Sequence, residues 1–128
     1  MESIQAKAEA VEVLAGARVL IVEDDFLIAI DLETILAKAG AKVCGPCRTV
    51  KEALAAIDGV GAAVLDIRLG EQTVEPVARQ LDERGVPFLF YTGQIETDPI
   101  RRQWPHHKIL AKPARPQCIV MAVADLLK

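Results

Sequence analysis

Short, almost wholly apolar runs alternate along this chain with segments whose apolar residues recur at helical spacing. RVLIV (Arg18–Val22) is brief, β-branched and followed at once by acids, which predicts a buried strand. Behind it, Ile28, Leu32, Ile35, Leu36 and Ala39 line one face of a helix that Gly40 stops. AKVCG predicts a second strand, and TVKEALAAID a helix with Thr49 as its N-cap and Glu52 three residues later. GAAVLD is a third strand, ending on Asp66, and VEPVARQLDERG a helix closed by Gly85. VPFLFYTG and HKILAKP predict a fourth and a fifth strand with a short helix between them. ARPQCIVMAVADLLK ends the alternation as a helix with Pro116 in its first turn.

Five strand–helix units with nearly continuous apolar strands make a doubly wound α/β domain, a parallel sheet covered by helices on both faces. In such a sheet the ligand site lies beyond the carboxyl ends of the strands. One domain is expected over residues 17–128, with residues 1–16 as an N-terminal extension.

Composition narrows the class. Hydrophobic residues make up 52% of the 128 and mean hydropathy is +0.26. Yet the longest apolar run, CIVMAVA (Cys118–Ala124), is far below the roughly 20 residues a membrane helix needs. The first fifteen residues hold three Glu and no apolar block, so they do not read as a secretory signal. A net charge of −3 gives no electrostatic reason to bind nucleic acid directly. Three cysteines without a signal sequence favour a reducing, cytoplasmic setting.

The predicted strand ends gather chemistry at one rim. The first delivers Glu23, Asp24 and Asp25, the third Asp66, the fourth Thr92 before Gly93, and the fifth Lys112 before Pro113. Crowded carboxylates invite a hard divalent cation, Mg²⁺ above all. A carboxylate beside a metal, a hydroxyl and an ammonium is the set that phosphoryl transfer to Asp requires. Singly these residues are ordinary caps and turns; together at one rim they are not.

VLIVEDD, VLDIRLG, FYTG and AKP, in this order, resemble the receiver domain of two-component response regulators over about residues 17–128. The resemblance implies a flavodoxin-like (βα)5 fold phosphorylated on Asp66. It implies Mg²⁺ held by Asp66, by Asp24 directly, by Glu23 through water and by the Arg68 backbone carbonyl. Thr92 matches the switch hydroxyl and Lys112 the phosphate-binding lysine, with a cis Lys112–Pro113 bond. Ile109 stands where the family usually has Tyr or Phe, so the switch is expected to run through Thr92 and residues 92–105. The Phe-x-Thr-Gly strand end resembles stand-alone receivers that partner HWE-type histidine kinases. The implied function is phosphorelay signalling, fed by a histidine kinase or histidine phosphotransfer protein and acting through partner binding or as a phosphate sink. No catalysis is expected beyond self-phosphorylation and autodephosphorylation. A receiver cut from a longer regulator is the alternative. An aspartyl phosphatase of the haloacid-dehalogenase type needs Asp-x-Asp, which neither Asp24–Phe26 nor Asp66–Arg68 supplies.

The first helix is the expected docking surface. At about 100° per residue, Phe26, Ile30 and Ala37 fall opposite the core stripe, with Phe26 beside the acidic cluster. Other features read as structural. CGPC (Cys44–Cys47) spells a thioredoxin site, but Gly45–Pro46 reads as a turn and the cysteines as small hydrophobes. His106 and His107 are expected on opposite faces of a strand, Phe88 and Phe90 under a helix, and Trp104 over the core edge.

Overall fold

The computed structural model describes residues 13–93 and 99–128. Its main sheet has the strands β1 (Arg18–Val22), β2 (Lys42–Cys47), β3 (Ala62–Leu65), β6 (Phe88–Thr92) and β7 (Ile109–Ala111). They lie in the order β2-β1-β3-β6-β7, every neighbouring pair parallel. This is the flavodoxin-like arrangement. The chain reverses direction across the sheet between β1 and β3, which opens a crevice at their carboxyl ends.

Alternation along the strands sorts the core into two layers. Leu20, Val22, Ala63, Leu65, Phe88 and Phe90 point to one face, under α2 (Val50–Ala56) and α3 (Glu75–Glu83). Val19, Ile21, Val64, Leu89 and Tyr91 point to the other, under α1 (Phe26–Lys38) and α5 (Pro116–Leu126). Because both faces are covered, β1, β3 and β6 are apolar almost throughout. Each fully buried Leu, Ile or Phe there contributes about 1.5–3 kcal/mol.

Local chemistry sets the helix ends. The Asp25 carboxylate accepts from the Ile28 N–H at 3.1 Å and starts α1. Thr49 Oγ1 accepts from the Glu52 N–H at 3.1 Å, and Glu52 Oε1 from the Arg48 N–H at 2.8 Å. As expected, α1 buries Leu32 and Leu36 and leaves Phe26, Ile30 and Ala37 exposed.

CGPC departs from the expected turn. β2 runs on through Cys47, and pairing with β1 jumps from Leu20–Cys44 to Val22–Cys47. Gly45 and Pro46 therefore form a bulge opposite Ile21. Gly45 has φ +99°, and a Cβ there would stand 2.6 Å from Cys47 N and 3.0 Å from Ile21 O. Glycine is required at this position. The Gly45–Pro46 and Lys112–Pro113 bonds are both cis.

Two further differences are local, while Trp104 packs over the core as expected. Arg68–Leu69 (β4) and Gln72–Thr73 (β5) form a small antiparallel hairpin ahead of α3 that no periodicity announces. His106 and His107 lie in a turn before β7 and not on a strand. His107 stacks on Phe88 with centroids 4.2 Å apart, and burial lowers its pKa. Trp104, just after the short α4 (Ile100–Gln103), is buried edge-on to Phe88 at 6.1 Å. Residues 94–98 of the expected switch segment, and residues 1–12 of the extension, lie outside the described residues.

Candidate functional site

The carboxyl ends of β1, β3, β6 and β7 meet around one open cleft of about 290 Å³. Glu23 and Asp24 follow β1, Asp66 follows β3, Thr92 ends β6 and Lys112 follows β7, all lining the cleft together with Arg68 and Gly70. Sequence position alone brought these five together, because parallel strands in register end at the same rim.

The cleft is organised around Lys112. Its ammonium lies 2.6 Å from Glu23 Oε1 and donates to Asp66 Oδ2 at 3.0 Å. The Glu23 contact is an ion pair without hydrogen-bond alignment: among the described residues Oε1 has no hydrogen-bond partner. Its other oxygen accepts from the Asp25 N–H at 3.1 Å. Glu23 is 1% exposed, and burial pushes its carboxyl up to about 7. Lys112 and the Asp25 N–H pull it down, while the nearby Asp66 charge adds to the rise. Burial works to lower the Lys112 pKa, but Glu23 and Asp66 outweigh it and hold the group above its ordinary value.

Asp24 is anchored differently. Its Oδ2 accepts from the Gly70 N–H at 2.8 Å, so the β4–β5 hairpin fixes the second acid of the pair. Arg48 Nε reaches the Asp24 carbonyl at 3.4 Å. Asp25 is taken up by its capping role and points its carboxylate at the helix.

Oxygen atoms of Glu23, Asp24 and Asp66 lie within 4.8 Å of one another. A Mg²⁺ ion bonded at about 2.1 Å spans about 4.2 Å between opposite ligands, so a slight contraction of this set would close on it. The donors are all oxygen and net negative, the chemistry that selects a hard cation. The residues fit.

Three parts of the site went unseen in the sequence. Cys47 O accepts from the Glu23 N–H at 2.8 Å, so the bulge carries the end of β1. The Gly70 N–H holds Asp24. Tyr91 lies against Lys112, with Nζ 5.7 Å from its ring centroid. The thioredoxin spelling falls within the bulged strand β2 and not at a helix N-terminus, and Cys47 is buried: burial, with Glu52 and Cys44 adding, pushes its thiol up to about 11.

No family model matches the chain, and no curated protein sequence does. Solved structures do. SdrG of Pseudomonas melonis Fr1, in its beryllofluoride-activated conformation, is 36% identical over 89% of this chain and 98% of its own, with a TM-score of 0.72. The non-phosphorylated HemR receiver domain of Leptospira biflexa is 23% identical over 88% of this chain and 94% of its own, with a TM-score of 0.76. A CheY-like response regulator receiver domain protein of Methanospirillum hungatei JF-1 is 24% identical over 87% and 93%, with a TM-score of 0.75. Sheet order, rim chemistry and these likenesses agree, and the chain belongs to the response-regulator receiver family.

Proposed function

We propose that this receiver accepts a phosphoryl group on Asp66 from a histidine kinase or histidine phosphotransfer protein, in phosphorelay signal transduction. One observation carries the reading: the Lys112 ammonium bridges Glu23 and Asp66 across the crevice between β1 and β3. In the transfer, an Asp66 oxygen forms the new P–O bond as the P–N bond to the donor histidine breaks, and the imidazole keeps the electron pair. Lys112 leaves its carboxylates to meet the phosphoryl oxygens, and the Thr92 hydroxyl bonds another of them. Mg²⁺, held by Asp24, Asp66, the Arg68 carbonyl and, through water, Glu23, would neutralise charge on the phosphoryl oxygens. The aspartyl phosphate carries about −2 charge where the free carboxylate carried about −1, so the cleft gains roughly one negative charge, and the protein answers it with Lys112.

The protein acts as a cytoplasmic stand-alone receiver that binds a partner in one of its two states or drains phosphoryl groups from a kinase. HWE-type kinases are the proposed donors, on the strength of the Phe-x-Thr-Gly strand end, Phe90–Gly93. Donors dock along α1, on the exposed Phe26 and Ile30, next to Asp25 and Ile28 that line the cleft. Among the described residues no helix is long and apolar enough to cross a membrane.

Incubation with acetyl phosphate and Mg²⁺ tests the reading. A base-labile, acid-stable phosphoryl adduct is expected in the wild type and absent in Asp66→Asn. Full labelling of Asp66→Asn would place the acceptor elsewhere.

A further inference from the structure

Lys112 stands at the end of the least supported strand of the sheet. β7 has three residues, pairs among the described residues with β6 alone, and leaves Ile109 and Leu110 half-buried and Ala111 exposed. A lysine is a compact charge on a flexible four-carbon stem, so the strand ladder alone does not place its ammonium. Glu23 and Asp66 hold it from the cleft side. Tyr91 meets it as well.

Tyr91 is 7% exposed and immediately precedes Thr92 on β6. Its ring lies under Lys112 Nζ at 5.7 Å, within range of a cation–π contact. Its phenolic oxygen accepts from the Ala114 N–H at 3.2 Å, two residues beyond Lys112. The backbone completes the bracket, with the Lys112 N–H donating to Thr92 O at 3.0 Å. The segment 112–114 is thus tied to β6 at its start by the backbone and at its end by the Tyr91 hydroxyl, and the ring meets the side chain between. A buried tyrosine commonly finds some partner for its hydroxyl. Here the partner belongs to the loop that carries the functional lysine.

We propose that Tyr91 is a positioning residue for Lys112: its ring face steers the ammonium over the Glu23–Asp66 pair, and its hydroxyl pins the backbone that follows. The importance of Lys112 rests on the receiver reading; the contact itself does not. Tyr91→Phe keeps the ring and loses the pin, and Tyr91→Leu loses both. In the unphosphorylated protein the Lys112 Cε methylene should show an upfield ring-current shift by NMR, kept in Tyr91→Phe and lost in Tyr91→Leu. The rate of labelling by acetyl phosphate with Mg²⁺ should fall roughly threefold in Tyr91→Phe and about tenfold in Tyr91→Leu. In a Lys112→Ala background, Tyr91→Leu should cost nothing further, because its effect passes through the lysine. A merely structural role would instead give additive losses, and either that result or a wild-type rate in Tyr91→Leu overturns the proposal. If the wild type takes no label, the receiver reading fails, and the methylene shift still decides whether Tyr91 holds Lys112.

Discussion

The backbone N–H of Glu23 donates to the carbonyl oxygen of Cys47 at 2.8 Å. The bulge at Gly45–Pro46 sets the register in which Cys47, and not Pro46, faces Val22 and takes this bond. Gly45→Ala is therefore expected to act on the site as well as on stability. It combines φ +99° with a Cβ 2.6 Å from backbone, whereas Gly70, at φ +65°, has nothing within 4 Å of such an atom. In urea unfolding, Gly45→Ala should lose well over 2 kcal/mol and Gly70→Ala about 1–2 kcal/mol, the strain of a left-handed residue alone. Equal losses would remove the steric argument.

The same segment should be redox-silent. Cys44 and Cys47 both belong to the bulged strand β2, ahead of the α2 N-cap at Thr49, so neither stands at a helix N-terminus that would activate it, and burial pushes the Cys47 thiol up to about 11. Wild-type protein should show no insulin-reductase activity, and with a thiol reagent the exposed Cys118 should react well before the buried Cys47. Reductase activity that disappears in Cys44→Ser/Cys47→Ser would overturn this.

What the sequence displays follows from what each feature depends on. β1 and β3 are legible because burial on both faces leaves no polar residue in RVLIV after Arg18, or in AAVL. The site is legible because Glu23, Asp66, Thr92 and Lys112 occupy strand ends, and a parallel sheet sends all of those to one rim. The bulge is not legible, since it exists only against Ile21 on the neighbouring strand. Tyr91 reads as one more core residue of FLFYT, and its bond to Ala114 spans an intervening connection. The β4–β5 hairpin has two-residue strands, too short for any period to show. His107 looks like a strand residue until the start of β7 at Ile109 is known.

Glu23 should make stability depend on pH in an unusual direction. Its carboxyl titrates at about 7 in the folded protein, against 4.5 for the ordinary group. Between these values the folded state binds a proton that the unfolded state has released, so stability from this group rises as pH falls through the window. Above about 7 both states are ionised and the cost of the buried charge is fully present. In buffer without divalent ions, the melting temperature of wild type relative to Glu23→Gln should climb from pH 8 to pH 5. A constant difference across that range would show that Glu23 titrates normally.

Mg²⁺ affinity should depend more on Asp24 than on Glu23. The charge of Glu23 is already opposed by Lys112 at 2.6 Å, while the Asp24 carboxylate accepts from the neutral Gly70 N–H at 2.8 Å. Direct ligation is assigned to Asp24 and a water-mediated role to Glu23. By calorimetric titration, Asp24→Asn should weaken binding by about tenfold or more and Glu23→Gln by only a few-fold. Equal losses would erase the distinction between them.

The donor should dock on the apolar edge of α1. Phe26 is 59% exposed and Ile30 42%, one helical turn apart, and Leu27, at 76%, widens the seam. Single exposed apolar side chains are normal, but three within five residues beside a charged cleft form a patch. A donor histidine must come within bonding distance of Asp66, and a helix laid along this seam would bring it to the mouth of the cleft. Ile30→Glu places a charge in the seam while leaving the buried stripe of Leu32 and Leu36 untouched, so its effect on folding should stay within about 0.5 kcal/mol. Phosphotransfer from the cognate kinase should slow about tenfold, equivalent to about 1.4 kcal/mol, while labelling by acetyl phosphate keeps its wild-type rate. Parallel loss of both rates would point to damaged folding, and an unchanged transfer rate would move the docking surface off this helix.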